Sequence, residues 1–231
     1  MAGVVKYPAL NAFASFIDAP DSIYGTGSDG TVTISTNTSL TSDMFYSNLT
    51  INDNITLNPN GYRIFVKNLL TLGNGSIIGF TTGSTVTGSI KGGGATNTAV
   101  TNSLGGSSAA QTATAPTAAL GGSKYYTLPF QAVRGYAVTA SSTAPTFLNG
   151  GAGGASASGG GIVIVAARYI ACTATTTNSK FSAPGTAGAG GGGGGVILIV
   201  SSGAALPSNV STDVTGGTGA ASGTYNYMQL V

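Results

Sequence analysis

Ile55-Thr-Leu57, Asn58-Pro-Asn-Gly61, Tyr62-Arg-Ile-Phe-Val-Lys67 and Leu69-Leu-Thr-Leu72 follow one another early in the chain, and they decide the class of fold. Pro59 presets its own φ, and Asn60-Gly61 tolerates positive φ, so the second segment is a turn. The segments on either side are rich in Ile, Leu, Tyr, Phe, Val and Thr, and β-branched and aromatic residues favour strands. Upstream the same alternation continues. Asn52-Asp-Asn54 reads as a turn, Met44–Ile51 as a strand carrying Phe45, Leu49 and Ile51, and Gly25–Gly30 as a turn cluster. Thr31-Val-Thr-Ile-Ser35 alternates with period two and puts Val32 and Ile34 on one face. Downstream, Gly73-Asn-Gly75 turns the chain into Ser76–Phe80. Short strands punctuated by Asn/Gly turns at such spacing mark an all-β architecture.

Further along, Gly159-Gly-Gly-Ile-Val-Ile-Val165 returns as Gly193-Gly-Gly-Val-Ile-Leu-Ile199, 34 residues later. Asn178–Ala183 is partly echoed by Asn209–Val214, and Gly223–Val231 is a weaker third copy. Self-similarity at such a period signals supersecondary units that bury a shared core only when stacked. The uninterrupted aliphatic strands imply burial on both sheet faces. Gly190–Gly195 cannot form a side-chain core, but it can pack backbone against backbone in a polyproline-II-like form. The expected fold is therefore all-β, β-solenoid-like or made of glycine-rich stacked β layers, with polyglycine-II segments and little helix.

Composition narrows function. Of 231 residues, 38 are Gly and only 6% are charged, with eight Lys/Arg, six Asp and no Glu, His or Trp. Ordinary domains carry about 25% charged residues. The longest aliphatic runs, Ile162–Ala167 and Val196–Val200, are far shorter than the ~20 residues of a spanning helix, so no membrane partner is expected. The net charge of +2 is scattered, and counterion-release binding needs several cations on one face, so no nucleic-acid partner is expected. Cys172 lacks a disulfide partner and follows an apolar run, which reads as a buried free thiol. Pro8, Asn11 and Asp18 interrupt any apolar core of an export signal. That suits a protein leaving the cell within an assembled particle.

Four segments follow: an N-terminal attachment arm at 1–24, a β-rich module at 25–90, a Gly/Ala/Thr/Ser-rich stretch with an aromatic island at 91–158, and Gly-rich β repeats at 159–231. In the arm, Tyr7, Leu10, Phe13, Phe16 and Ile17 are the candidate attachment residues, and Asn11–Ile17 could make one helical turn with Leu10, Phe13 and Ile17 on one face. In the island, Tyr125, Tyr126, Phe130 and Tyr136 are candidate binding residues that could stack on sugar rings or anchor a protein. Filling gaps in a Gly/Ala-rich core is an equally supported role for them, and for Tyr225 and Tyr227.

No Ser-His, Cys-His or His-bearing zinc arrangement can be built without His. The aspartates, Asp18, Asp21, Asp29, Asp43, Asp53 and Asp213, are the one route to glycoside hydrolysis, but most sit in turns, where such side chains cap their own backbone. The same reading outweighs a calcium loop at Gly27–Gly30 and Asn52–Asn54, whose spacing fits no such loop. The glycine runs lack the Lys-Ser/Thr of a phosphate loop. No catalytic residue, metal or cofactor is expected, and the protein reads as a non-enzyme.

Gly27-Ser-Asp-Gly-Thr-Val-Thr-Ile34, Leu40–Ile51 and Ile55–Lys67, with its Asn60-Gly-Tyr-Arg-Ile-Phe-Val66, resemble the glycine-rich virion proteins of tailed bacteriophages. The later tracts Gly159–Val165 and Gly190–Val200 are similar to the second half of such proteins. The resemblance covers about half the chain and implies a β-solenoid-like or polyglycine-rich fold, often trimeric, in tail fibres, adhesins or capsid appendages. It implies a virion-surface location and other virion proteins as partners, with a host-surface glycan or protein as ligand of an adhesin. The short Ala/Thr-rich middle favours a compact decoration over a long fibre. An extracellular filament or surface-layer subunit is the non-viral rival.

Overall fold

The computed structural model describes residues 23–80, 151, 157–188 and 190–230. Among them, eleven strands carry nearly all the regular structure. They are β1 (Thr31–Ile34), β2 (Thr38–Ser39), β3 (Met44–Ile51), β4 (Thr56–Asn58), β5 (Ile64–Leu72), β6 (Ile77–Gly79), β7 (Ile162–Cys172), β8 (Ser179–Ser182), β9 (Val196–Ser201), β10 (Val210–Asp213) and β11 (Thr224–Gln229). The odd-numbered strands form one six-stranded sheet in the order β1-β3-β5-β7-β9-β11, and the even-numbered strands a five-stranded sheet in the order β2-β4-β6-β8-β10. Every pairing is parallel. The chain thus alternates between sheets, and each strand pairs with the one two places along. The expected alignment of the aliphatic repeats is the β7–β9 register, in which Ile162 faces Val196 and Val165 faces Ile199.

The sheets close on a common core. Tyr46, Leu49, Ile51, Val66, Leu70, Val163, Val165, Ile197 and Ile199 from the larger sheet meet Leu57, Ile78 and Phe181 from the smaller. Val32 and Ile34 also pack against this core, as their alternation predicts. The segments β5 and β7 pair across residues 81–150, so 25–80 and 157–230 contribute to the same two sheets. Strands β7 and β9 are buried on both faces over Ile162–Ala167 and Val196–Val200. Their outer face forms a second cluster, including Phe65, Ile164 and Leu198, with Ile23 and Tyr24 against it.

Turns stack on turns. Asn54 N–H donates to Asn74 O (2.8 Å), and Asn74 N–H to Asp53 Oδ1 (2.7 Å). Asn74 Oδ1 in turn accepts from Thr177 N–H at 2.9 Å and Thr176 N–H at 3.2 Å in the next layer. At the opposite corner, Asn60 and Gly61 take positive φ (51° and 79°), as the turn reading requires, and Asn60 Nδ2 donates to Leu40 O (3.1 Å).

The glycine runs lie backbone on backbone. Gly160 N–H donates to Gly193 O (2.8 Å), Gly195 N–H to Ala183 O (2.7 Å) and Gly194 N–H to Ala221 O (3.0 Å). A Cβ on Gly195 would sit 2.0 Å from Gly161 O, which no side chain can occupy.

Three details differ from the sequence reading. Tyr62–Lys67 and Leu69–Leu72 are not separate strands: β5 runs through Asn68 with a register shift between Val66 and Leu69. Cys172 is half-buried rather than buried, because β7 continues past the aliphatic run to the sheet end, where Sγ contacts Ser179 Oγ at 3.4 Å. The turn aspartates reach mostly to another layer instead of their own backbone. Asp29 accepts from Phe45 N–H (2.6 Å), Asp43 from Arg63 N–H (2.8 Å) and Asp53 from Asn74 N–H, while Asp213, alone among the described aspartates, caps locally, at Thr215 N–H (3.1 Å). Parallel pairing brings an amide about 16 to 21 positions further along to the carboxylates of Asp29, Asp43 and Asp53.

Candidate functional site

The outward face of the larger sheet divides at a line of irregularities. In β7, Ala167 and Ile170 both face the core, three positions apart, so Arg168 and Tyr169 between them are turned away from it. In β5, Val66 and Leu70 face inward, which leaves Lys67, Asn68 and Leu69 outside. Register places Leu69 beside Tyr169. Both are exposed, Leu69 at 38% and Tyr169 at 51%, among few large apolar side chains in that state. Beyond them the face turns polar, with Thr33, Thr50 and Thr71 in one cross-strand row.

The turn after β9 fixes the position of Arg168. Ser202 N–H and Ser201 Oγ both donate to Arg168 O, at 2.9 and 3.1 Å. Ser202 Oγ is also 2.9 Å from the Tyr24 hydroxyl. The same turn is held from the other side by Tyr227, whose hydroxyl donates to Gly203 O (2.7 Å). The Arg168 guanidinium lies over the Tyr169 ring, 5.7 Å from its centroid. Arg63 pairs with Asp43, whereas Arg168 has no acidic partner among the described residues. Burial pushes the Tyr24 phenol above its ordinary pKa, against the Ser202 hydrogen bond and the Arg168 charge, which pull it down.

The residues singled out in the sequence divide between seen and unseen. Tyr7, Leu10, Phe13, Phe16, Ile17, Tyr125, Tyr126, Phe130 and Tyr136 lie outside the described residues. Tyr225 is exposed at the end strand, with its phenol pKa raised by burial and then by Tyr227. Asp29 and Asp53 sit near opposite ends of β3, so the Gly27–Gly30 and Asn52–Asn54 turns do not meet. Asp43 is engaged by Arg63 through its backbone N–H, Nε (2.9 Å) and Nη2. No group of three or more His, Cys, Asp or Glu able to hold a metal occurs among the described residues.

Tyr24, Leu69, Arg168, Tyr169 and Ser202 were not singled out from the sequence. The available signal was Arg168-Tyr169 breaking an aliphatic run that continues to Ile170. A cation in a strand buried on both faces must leave the sheet somewhere.

The chain matches no family model, no curated protein and no solved structure. No helix among the described residues is long and apolar enough to cross a membrane.

Proposed function

We propose that this chain is a β-solenoid on the surface of a tailed-bacteriophage particle, a capsid decoration or a head or tail fibre component, with a structural and host-attachment role and no catalytic one. The solenoid reading is supported by strands that alternate between two parallel sheets, each pairing two places along. Polyglycine-II-like packing of the glycine runs is supported by their mutual hydrogen bonds and side-chain-free contacts.

One observation carries the functional reading. The Asn-Gly-Tyr-Arg-Ile-Phe-Val segment, on which the phage resemblance rests most, joins layers throughout. Asn60 reaches Leu40, Arg63 holds Asp43, Ile64 and Val66 enter the core, and Phe65 stacks on Phe45 at 4.8 Å. A motif of purely architectural residues suits a particle component. Strands β1 and β11 end the larger sheet among the described residues and carry no charge, and such edges need covering. Self-association, as a trimer in the resembling proteins, would supply that cover.

Quantitative mass spectrometry and antibody labelling of purified particles test the reading. Hundreds of copies on the head would mean decoration, and a few at the tail a fibre. Recovery in cellular filaments or a surface layer, with none in particles, would replace it with the non-viral rival. A receptor-binding role is favoured by the exposed Leu69–Tyr169 pair beside Arg168.

A further inference from the structure

We propose that Arg168 and Tyr169, with Leu69 and the Ser202 hydroxyl, form a binding site for an acidic saccharide, one bearing a carboxylate on a pyranose ring. The Tyr169 ring supplies a stacking face at the surface, and aromatic faces pack on the apolar side of a sugar ring. The guanidinium over that ring is a charge with no acidic partner among the described residues. Arginine's planar fork matches a carboxylate with two parallel hydrogen bonds. The half-buried Ser202 hydroxyl, held 2.9 Å from the buried Tyr24 phenol, adds a group that both donates and accepts, as sugar hydroxyls require.

The site is also built in advance. The carbonyl of Arg168 is fixed by two hydrogen bonds from Ser201 and Ser202, and its chain neighbours Ala167 and Tyr169 pair with Val66 and Leu69 of β5. The backbone that carries the site therefore needs no ordering on binding, which favours affinity for a small ligand.

Magnitude argues against the other occupants. A stable protein partner buries about 800 Å² on each side, far more than the exposed parts of Leu69 and Tyr169 offer. A nucleic acid needs several cations on one face. An arginine with no acidic partner among the described residues, beside one exposed ring, fits one acidic sugar.

The inference goes beyond a structural role and is decided on the purified chain, whereas the virion reading is decided by where the chain is found. The full chain is titrated by calorimetry and NMR with three acidic probes: hyaluronan, oligosialic acid and alginate oligosaccharides. Neutral chitohexaose is the comparator. At least one acidic probe binds with a Kd below about 1 mM, weakened by salt. Arg168→Gln and Tyr169→Ala each lower its affinity about tenfold or more, and Arg168→Lys loses less than Arg168→Gln. Circular dichroism and thermal melting report whether each variant keeps the fold. Leu69→Ser is a second variant, at an exposed position, and it also weakens binding. Failure of all three acidic probes to bind the wild-type chain overturns the proposal. Equal binding of chitohexaose, or unchanged affinity in folded Arg168→Gln, does so too.

Discussion

At single residues, two glycines that look alike in the sequence do opposite work. Gly30 has φ of +73° and open space around it, whereas Gly195 is pressed against Gly161 O and the backbone around it. Gly30→Ala is expected to cost about 1–2 kcal/mol, the left-handed penalty, with Gly30→Asn recovering part of it. Gly195→Ala must move a neighbouring strand, so its cost lies at or above the top of the usual overpacking range, about 3 kcal/mol. Denaturant melts of the three variants check the order. Asp43→Asn is a separate case. It removes the carboxylate charge to which Arg63 Nε and Nη2 donate, at a side chain only 16% exposed. A loss of about 1.5–3 kcal/mol is expected, and a change under ~0.5 kcal/mol in the same melts would mean the pair is idle.

At the level of elements, the corners deserve as much weight as the strands. A parallel ladder leaves amides at each bend that must find oxygens elsewhere, on the backbone or side chains of an adjacent turn or in water. Asn74 supplies one for Thr175, Thr176 and Thr177 at once, with its Oδ1 accepting all three backbone N–H groups. Asn74→Ala is expected to cost about 1–2 kcal/mol, as a lost cap does. Hydrogen exchange should quicken at Thr175–Thr177 and stay unchanged in the middle of β5. Uniform loss of protection instead would show that the corner is not a local unit. The irregularity that releases Lys67, Asn68 and Leu69 from β5 belongs to this scale as well, since it decides which side chains of β7 and β5 meet outside the core.

Across the whole molecule, buried phenols tie stability to alkaline pH. Burial raises the pKa of Tyr24, Tyr46 and Tyr225 above 10.0, and the Asp29 charge adds to the rise at Tyr46. Above pH 10 the unfolded chain sheds protons that the folded chain keeps, so it binds fewer, and stability falls as pH rises. Below that pH the contribution is fully present. Thermal melts should therefore give a midpoint steady between pH 7 and 9 that drops beyond 10, with a shallower drop in Tyr46→Phe. An equal drop in that variant would place the alkaline loss elsewhere.

The sequence by itself determined the local alphabet: which segments extend, where Asn, Gly and Pro bend the chain, and that β7 and β9 align at the 34-residue repeat. These follow from periodicity and from residues whose backbone preferences act within a few positions. The resemblance to phage virion proteins came from the same local pattern. Only the tertiary structure decided that strands alternate between two parallel sheets, that Asp43 and Asp53 serve another layer, and that Leu69 stands beside Arg168 and Tyr169. Those pairings join residues about 20 to 100 positions apart, and register in a parallel stack is set by the packing of all layers together. No short window of sequence contains it.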